Sequence, residues 1–228
     1  PAHNHEAAVL IRIPAVLDHA ELEVVHHLLR KAPFVDGKLS AGQAARRIKN
    51  NQEVDRGARE LEQLNNLIMG KLVQHPIYRS AALPVRVAAP YYARYNAGMQ
   101  YGDHVDDPIM GANGQIYRSD LSITIFLSEP SAYTGGELMI STSFGEQAIK
   151  YAAGDAVLYS AATRHRVAEV THGERLVAVT WVQSLVRDPN QRELLHELNG
   201  VRERLLASAP ETEDAKQVNK SYVNLVRM

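Results

Sequence analysis

Residues 121–128 read LSITIFLS and residues 175–184 read RLVAVTWVQS, and these two runs indicate the fold of the chain. Both are rich in β-branched and other apolar residues, which favour extended strands. Further short runs of this kind, separated by turn sequences such as Gly135-Gly136, follow one another from residue 84 to residue 184; they cover residues 86–95, 137–141, 147–151, 155–160 and 164–170. A series of short strands separated by turns is typical of a β-sandwich, a jelly roll or a small barrel.

Helical patterns flank this β-rich segment on both sides. After a short predicted strand, Val9–Ile13, Asp18 is placed to cap a helix whose apolar residues recur every three to four positions. A second helix is predicted over Arg56–Val73, and a third begins after Pro189. The polar run of residues 209–220 is predicted to be a loop or a loose helix.

These patterns predict an α+β fold with a mainly β core and three parts. The parts are an N-terminal strand and helices that support the core (1–77), the β-rich core (78–186) and a small C-terminal helical extension (187–228). We expect the C-terminal helices either to cover the functional site or to build a homo-oligomer.

The composition limits the chemistry available to the chain. Its 228 residues include 25 Lys and Arg against 26 Asp and Glu, a formal net charge of −1, so no overall basic field attracts nucleic acid. The chain has no cysteine, which excludes disulfides, thiolate metal sites and a cysteine nucleophile. Any metal must therefore bind histidine, carboxylate and water. No segment approaches the ~20 apolar residues of a membrane span, and we expect a soluble cytoplasmic protein without nucleic-acid or membrane partners.

The spacing His-x-Asp/Glu is a candidate metal motif, because residues two apart on a strand point to the same face and can bind one ion. It occurs three times, beginning at His19, His104 and His172. His19 lies in the first turn of a predicted helix, where residues two apart face away from each other. His172 lies in a predicted tight turn. His104 follows a predicted strand, so His104 and Asp106 are the candidate ligands; the alternative for His104 is a hydrogen-bonded histidine at a strand end.

A third candidate ligand, His165, lies on a β-rich run that is predicted to form a hairpin with the run beginning at Arg175. A loop of Thr171-His172-Gly173, with the glycine in the left-handed conformation, would connect the two strands. This register pairs His165 with Val179, which shares a sheet face with Arg175 by the two-residue period. His165 and Arg175 are therefore predicted to lie on one face, whereas a two-residue turn would place them on opposite faces.

Arg175 has two interpretations. Its planar guanidinium matches a carboxylate through two parallel hydrogen bonds, so it is a candidate to hold one end of a dicarboxylate that reaches the metal. The alternative is an edge arginine that extends to solvent or pairs with Glu169 or Glu174. The predicted shared face with His165 favours the first interpretation.

Several of these motifs occur together, and they extend beyond the candidate site. They are the segment Tyr95–Asp106, the strand Leu121–Leu127, the turn Gly135-Gly136-Glu137-Leu138, and His165 followed by Arg175. In combination they resemble the prolyl/lysyl-hydroxylase-type 2-oxoglutarate oxygenases. The bacterial PKHD-type hydroxylases, small proteins commonly associated with iron uptake, are the most similar group. The resemblance spans the chain, including Ile11–Leu17 and the C-terminal helical segment.

The resemblance implies a double-stranded β-helix (jelly roll) core in which His104, Asp106 and His165 bind Fe(II). It also implies 2-oxoglutarate as cosubstrate, with its distal carboxylate on Arg175, and ascorbate as a further cofactor. Tyr95 matches a tyrosine near the cosubstrate, and a core tyrosine with a satisfied hydroxyl is the alternative. Related halogenases carry a small residue in place of the carboxylate ligand, so Asp106 favours hydroxylation. No catalytic residue beyond the metal ligands is implied.

The implied reaction hydroxylates a peptidyl residue or a small molecule such as a siderophore, consumes O2 and releases succinate and CO2. Residues 107–120 directly follow the ligand pair and are a candidate lid or substrate loop, with an ordinary surface connection as the alternative. Two rival functions are a cupin-like metal enzyme that does not use 2-oxoglutarate and a non-catalytic iron-responsive binding protein. The cupin-like enzyme has no need of Arg175 at its place, and the binding protein would lack the weak visible absorption band of an Fe(II) and 2-oxoglutarate complex.

Overall fold

The computed structural model describes residues 10–43, 45–112 and 114–228 of the chain. Its strands, numbered in chain order, are β1 (Leu10–Ile13), β2 (Phe34–Asp36), β3 (Lys49–Asn50), β4 (Gln52–Val54), β5 (Pro84–Val87), β6 (Tyr91–Asn96), β7 (Gln100–His104), β8 (Ile109–Met110), β9 (Tyr117–Arg118), β10 (Leu121–Phe126), β11 (Tyr133–Gly135), β12 (Leu138–Thr142), β13 (Gly145–Ile149), β14 (Ala156–Ser160), β15 (His165–Val167) and β16 (Val170–Ser184). The helices are α1 (His19–Lys31), α2 (Leu61–Leu72), α3 (Pro76–Ala82), α4 (Pro189–Ser208) and α5 (Glu213–Arg227).

Two antiparallel sheets form the core. The larger has the order β1-β14-β10-β16-β6-β4-β2, with β5 and β11 also paired to β16, and the smaller has the order β13-β12-β15-β7-β3. Buried side chains of both sheets pack against one another in one cluster, which includes Phe126 and Val177 from the larger sheet and Ile140 and Val167 from the smaller. The predicted α+β fold with a mainly β core is confirmed.

A second buried cluster lies on the other face of the larger sheet. Strand β10 is buried on both faces, so its alternate side chains pack on opposite sides of the larger sheet. Ile123 and Ile125 belong to the cluster that α1 and α2 complete. Ser122 and Thr124 have the opposite parity and lie on the face that is turned toward the smaller sheet. This parity places two hydroxyl groups in the space between the sheets.

The N-terminal helices follow the predicted pattern in part. Asp18 caps α1 with a capping box, because its side chain accepts from the Glu21 N–H while the Glu21 carboxylate accepts from the Asp18 N–H. Helix α2 is shorter than predicted and begins at Leu61. No strand was predicted between Ile13 and residue 84, and for the region from residue 34 to residue 54 this was wrong. It contributes β2, β3 and β4, which extend the edges of both sheets.

The predicted hairpin between His165 and Arg175 was also wrong. Strand β15 pairs with β12 and β7 of the smaller sheet, whereas Arg175 lies in β16 of the larger sheet. The expected loop glycine, Gly173, lies within β16 with a φ of +77°. A Cβ atom at Gly173 would lie 2.1 Å from the carbonyl oxygen of Ala132, just before β11. This glycine therefore permits close approach of a neighbouring segment and does not mark a turn.

The C-terminal part forms two helices. Residues 209–220 were predicted to be a loop or a loose helix, and the helical alternative is confirmed from Glu213 onward. Thr212 caps α5 by accepting from the Ala215 N–H, and acidic residues occupy the first turn. No helix in residues 10–43, 45–112 and 114–228 has the length and apolar character that crossing a membrane requires.

The three-part division of the chain stays a prediction. Helix α3 spans the expected boundary between residues 77 and 78. Strand β1 pairs with β14 of the core sheet. Within residues 107–120, β8 and β9 pair antiparallel as a small hairpin, and the Ser119 N–H donates to the Pro108 carbonyl beside this pair.

Candidate metal centre and active-site cavity

Two histidines lie side by side on neighbouring strands of the smaller sheet. His104 ends β7 and His165 begins β15, and the two residues are direct partners in the strand register. Their ring centroids are 4.3 Å apart. The sequence predicted both as ligands, and the register of β7 and β15 explains why residues distant in the chain meet.

Backbone carbonyls fix the tautomer of both rings. His104 Nδ1 lies 2.8 Å from the Gly102 carbonyl oxygen, and His165 Nδ1 lies 2.9 Å from that of Thr163. Because a carbonyl oxygen only accepts, both Nδ1 atoms carry the proton and both Nε2 atoms keep a lone pair for a metal. Burial and the neighbouring His165 lower the pKa of His104 to about 4. His104 is therefore neutral at neutral pH, which is the form that binds metals.

Asp106 completes the group. Its Oδ1 atom lies 4.0 Å from His104 Nε2 and 3.8 Å from His165 Nε2. The hydroxyl of Ser122 donates to the other carboxylate oxygen, Oδ2. The backbone N–H of Asp106 donates to the Ala161 carbonyl at 3.3 Å. These contacts orient the carboxylate so that Oδ1 faces the two imidazoles.

Ser122 was missed by the sequence analysis. It is fully buried in β10, where its neighbours in sequence are apolar. A hydroxyl in such a strand signals a polar partner, because buried polar groups are rarely left without a hydrogen bond. The strand pattern alone does not identify Asp106 as that partner.

The ligand-type atoms of His104, Asp106 and His165 all lie within 4.8 Å of one another, so one ion can contact all three. Two imidazole nitrogens and one carboxylate oxygen are the donor set of non-haem Fe(II) oxygenases. The other two His-x-Glu matches lie elsewhere: His19 begins α1, and His172 lies in β16. Neither belongs to a metal-binding group among the described residues.

Arg175 lies in β16 directly opposite Tyr95 of β6 and is only 1% exposed. Its Nε and Nη1 atoms are buried and have no hydrogen-bond partner among the described residues. One of the expected alternative partners, Glu174, lies 3.8 Å from Arg94 instead. The Arg175 Cζ atom lies 5.0 Å from the centroid of the Tyr95 ring. A buried guanidinium in this state lacks the anion that its charge requires.

His104, Asp106 and His165 together are called the metal-type group below. This group and Arg175 line the same cavity of about 950 Å³. The smaller sheet and the segment after β7 supply the histidines and Asp106, and the larger sheet supplies Arg175 and Tyr95. Although the predicted hairpin was wrong, His165 and Arg175 do line one space, because the two sheets face each other across it. The cavity also contains a buried ion pair that the sequence did not indicate, with Lys49 Nζ 2.5 Å from Glu53 Oε1.

Comparison with known proteins identifies the family. A family model described as the 2OG-Fe(II) oxygenase superfamily matches residues 90–183, which include the His104, Asp106 and His165 group and Arg175. A PKHD-type hydroxylase of Thioalkalivibrio sulfidiphilus is 48% identical over 220 residues, covering 96% of this chain and 98% of that protein. The chain belongs to the PKHD-type hydroxylases. This PKHD-type hydroxylase is a 2-oxoglutarate-dependent dioxygenase, and the predicted family and enzyme class are confirmed.

Two solved structures align with this PKHD-type hydroxylase at a TM-score of 0.55. One is a prolyl hydroxylase from Trichoplax adhaerens in complex with a hypoxia inducible factor peptide fragment, with 16% identity and coverage of 81% of this chain and 86% of that chain. The other is HygX from Streptomyces hygroscopicus with nickel, 2-oxoglutarate and hygromycin B bound, with 14% identity and coverage of 80% and 86%. At these identities the likeness concerns the fold, and it confirms the double-stranded β-helix core.

Gly136 of this PKHD-type hydroxylase makes room for Arg175. Its φ is +68°, and a Cβ atom there would lie 2.8 Å from Val170 Cγ2 and 3.1 Å from Arg175 Cδ. We expect Gly136→Ala to lower the free energy of unfolding by about 2–5 kcal/mol, combining left-handed strain with overpacking. Gly98→Ala is the matched control, because Gly98 has a φ of +83° and no atom within 4 Å of its Cβ position. Urea unfolding of both variants measures the difference, and equal losses would refute a packing role for Gly136.

Proposed function

We propose that His104, Asp106 and His165 hold Fe(II) and that Arg175 binds the distal carboxylate of 2-oxoglutarate. One observation carries this proposal: a buried guanidinium, without a hydrogen bond at Nε or Nη1 among the described residues, lines the same cavity as the metal-type group. A dicarboxylate that reaches the metal at one end supplies the missing anion at the other. A cupin-like enzyme that does not use 2-oxoglutarate has no need of a charge buried at that position.

Tyr95 is proposed as a second contact for the same carboxylate. It is 4% exposed and lies opposite Arg175 in the strand register. Burial raises the pKa of Tyr95, and the positive charge of Arg175 only partly opposes this effect. The phenol is therefore protonated at neutral pH and able to donate a hydrogen bond.

The bound metal and 2-oxoglutarate supply oxidation of a C–H bond by O2, in which 2-oxoglutarate becomes succinate and CO2 and one oxygen atom enters the substrate. The residues of the chain contribute positioning. The carbonyls of Gly102 and Thr163 hold the two imidazoles, and Ser122 holds Asp106. Because these contacts already fix the ligand side chains, binding the ion costs them little conformational entropy.

The fold is compatible with two substrate classes. The Trichoplax protein holds a peptide and HygX holds hygromycin B, a small molecule. For the PKHD-type hydroxylase we propose hydroxylation of a peptidyl residue or of a small molecule such as a siderophore. Ascorbate as a further cofactor, a cytoplasmic location and an association with iron uptake stay predictions.

Succinate formation tests the proposed reaction. We expect protein loaded with Fe(II) to convert 2-oxoglutarate to succinate in the presence of O2, slowly without substrate and faster when the substrate is present. His104→Ala should reduce the rate to background because an imidazole ligand is lost. His19→Ala, which removes the histidine of another His-x-Glu match, should retain the wild-type rate. Equal rates for His104→Ala and the wild type would contradict the proposal.

A further inference from the structure

The cavity has a deep end and an outer end along two paired strands. Tyr95 and Arg175 form a register pair on β6 and β16, and Tyr91 pairs with Val179 four residues along. Tyr91, Trp181 and Arg175 have the same strand parity and line the same cavity. At about 3.3 Å per residue, Tyr91 lies roughly 13 Å from Tyr95 along the strand. If Arg175 binds the distal end of 2-oxoglutarate, as the proposed function requires, the Tyr91 and Trp181 end is left for the substrate.

Aromatic side chains form the wall of this outer end. The rings of Tyr91 and Trp181 pack edge to face with centroids 5.7 Å apart. Tyr117 of β9, in the hairpin that follows the ligand pair, lines the same space. Rigid aromatic faces bind planar or apolar ligand surfaces at low cost in conformational entropy.

Two exposed arginines lie beside this wall, and each donates a hydrogen bond to a backbone carbonyl. Arg56 Cζ lies 4.4 Å from the centroid of the Tyr91 ring, and Arg56 Nη1 donates to the Pro90 carbonyl at 3.1 Å. Arg86 Nη1 donates to the Ile116 carbonyl at 2.9 Å, which links β5 to the β8–β9 hairpin. Neither guanidinium forms an ion pair with a carboxylate within the described ranges.

The charges deeper in the cavity cancel and leave these arginines in excess. Lys49 and Glu53 pair with each other. A divalent ion and Asp106 together carry a net positive charge, and 2-oxoglutarate and Arg175 together carry an equal net negative charge, so the two cancel. Among the described residues that line the cavity, Asp107 is the remaining carboxylate against Arg56 and Arg86. The outer end therefore favours an anion and disfavours a cation such as a lysyl ammonium group.

We propose that the substrate is a small carboxylic acid with a planar ring, whose acid group binds at Arg56 and Arg86 and whose ring packs against Tyr91 and Trp181. A cavity of about 950 Å³ has the size of a small-molecule site. This inference rests on the proposed function, because it assigns the deep end of the cavity to 2-oxoglutarate.

The chain contains a natural fluorescent reporter for ligand binding at the outer end of the cavity. Trp181 is the single tryptophan of the chain, so the intrinsic tryptophan fluorescence comes from the outer end of the cavity. Benzoate, benzamide and benzylamine share one ring and differ in charge at neutral pH. We would titrate each into anaerobic protein loaded with Fe(II) and saturating 2-oxoglutarate. We expect saturable quenching by benzoate with a Kd roughly 5- to 10-fold below that of benzamide, and the weakest binding by benzylamine.

Variants localise the effect. Arg56→Gln and Arg86→Gln should each reduce the preference for benzoate over benzamide, whereas Arg79→Gln, an exposed arginine of α3 outside the cavity, should keep it. Equal binding of acid and amide, preference for the amine, or no saturable quenching by benzoate would overturn the inference. The visible absorption band of the Fe(II) and 2-oxoglutarate complex is recorded in the same samples. A sample without this band contradicts the proposed function itself, so the two failures are distinguishable.

Discussion

Replacing Arg175 with methionine is expected to lower kcat/KM for 2-oxoglutarate by about 100-fold or more, the equivalent of about 3 kcal/mol for one buried charged partner. Fe(II) binding should stay intact, because Arg175 lies on the larger sheet and contributes no ligand to the group on the smaller sheet. The measurements are 2-oxoglutarate consumption and equilibrium iron binding on the same preparations.

The same variant separates a binding role from a structural one. Arg175 is 1% exposed, and two of its nitrogens lack hydrogen-bond partners within the described part of the chain. Methionine of similar length removes an uncompensated buried charge, so the ligand-free protein should keep or raise its Tm. Arg94→Met is the matched control, since Arg94 bonds to Gln52 outside the cavity and should leave the KM for 2-oxoglutarate unchanged. A lower Tm together with an unchanged KM would show that Arg175 is structural.

Replacing Asp106 with alanine is expected to lower the affinity for Fe(II) by at least about 100-fold. This loss is larger than the loss that is typical when a residue that only orients a metal ligand is replaced. The variant loses the carboxylate that faces both imidazoles and leaves the Ser122 hydroxyl without its acceptor. Turnover of 2-oxoglutarate should fall to background. Iron binding measured by equilibrium dialysis under anaerobic conditions gives the stoichiometry directly.

Asp103→Ala is the control for this loss. Asp103 lies in the same strand as His104, is exposed and is not part of the metal-type group. It should bind one equivalent of iron with wild-type affinity. Full iron binding by Asp106→Ala, or equal losses in both variants, would exclude Asp106 as a ligand.

The two sheets contribute different parts of the candidate site. The smaller sheet and its adjoining segment position the metal-type group, and the larger sheet positions Arg175 and Tyr95. Ser122 connects them, because it lies on β10 of the larger sheet and donates to Asp106. The geometry of the site therefore depends on the packing of one sheet against the other, which a cluster including Phe126 and Ile140 provides.

Much of the fold follows from local sequence. Runs such as Leu121–Phe126 carry the β-branched and apolar residues of a buried strand, and Asp18 with Glu21 is a local helix-start signal. Strands β2, β3 and β4 were not predictable, because two or three residues are too few to show a period. Gly173 was misread because its left-handed backbone serves a contact with the segment around Ala132, distant in the chain.

The candidate site, like the fold, depends partly on local sequence and partly on contacts between residues that are distant in the chain. The spacing of His104 and Asp106 is local. His165 and Arg175 were joined to them by a predicted hairpin, which was wrong, and by the family pattern. Ser122 meets Asp106 across 16 residues of sequence, and the Lys49 and Glu53 pair enters the cavity from the N-terminal region. Such contacts depend on the folded arrangement of both sheets, so no local pattern reveals them.

Anaerobic titration of the purified protein with Fe(II) and then 2-oxoglutarate tests the central proposal most directly. Chelation of the metal by the 2-oxo acid produces a weak visible charge-transfer band. We expect this band to saturate at one equivalent of each, to require far more 2-oxoglutarate in Arg175→Met, and to be absent in Asp106→Ala. Folded, metal-loaded wild-type protein that shows no band with saturating 2-oxoglutarate would contradict the assignment of this cavity.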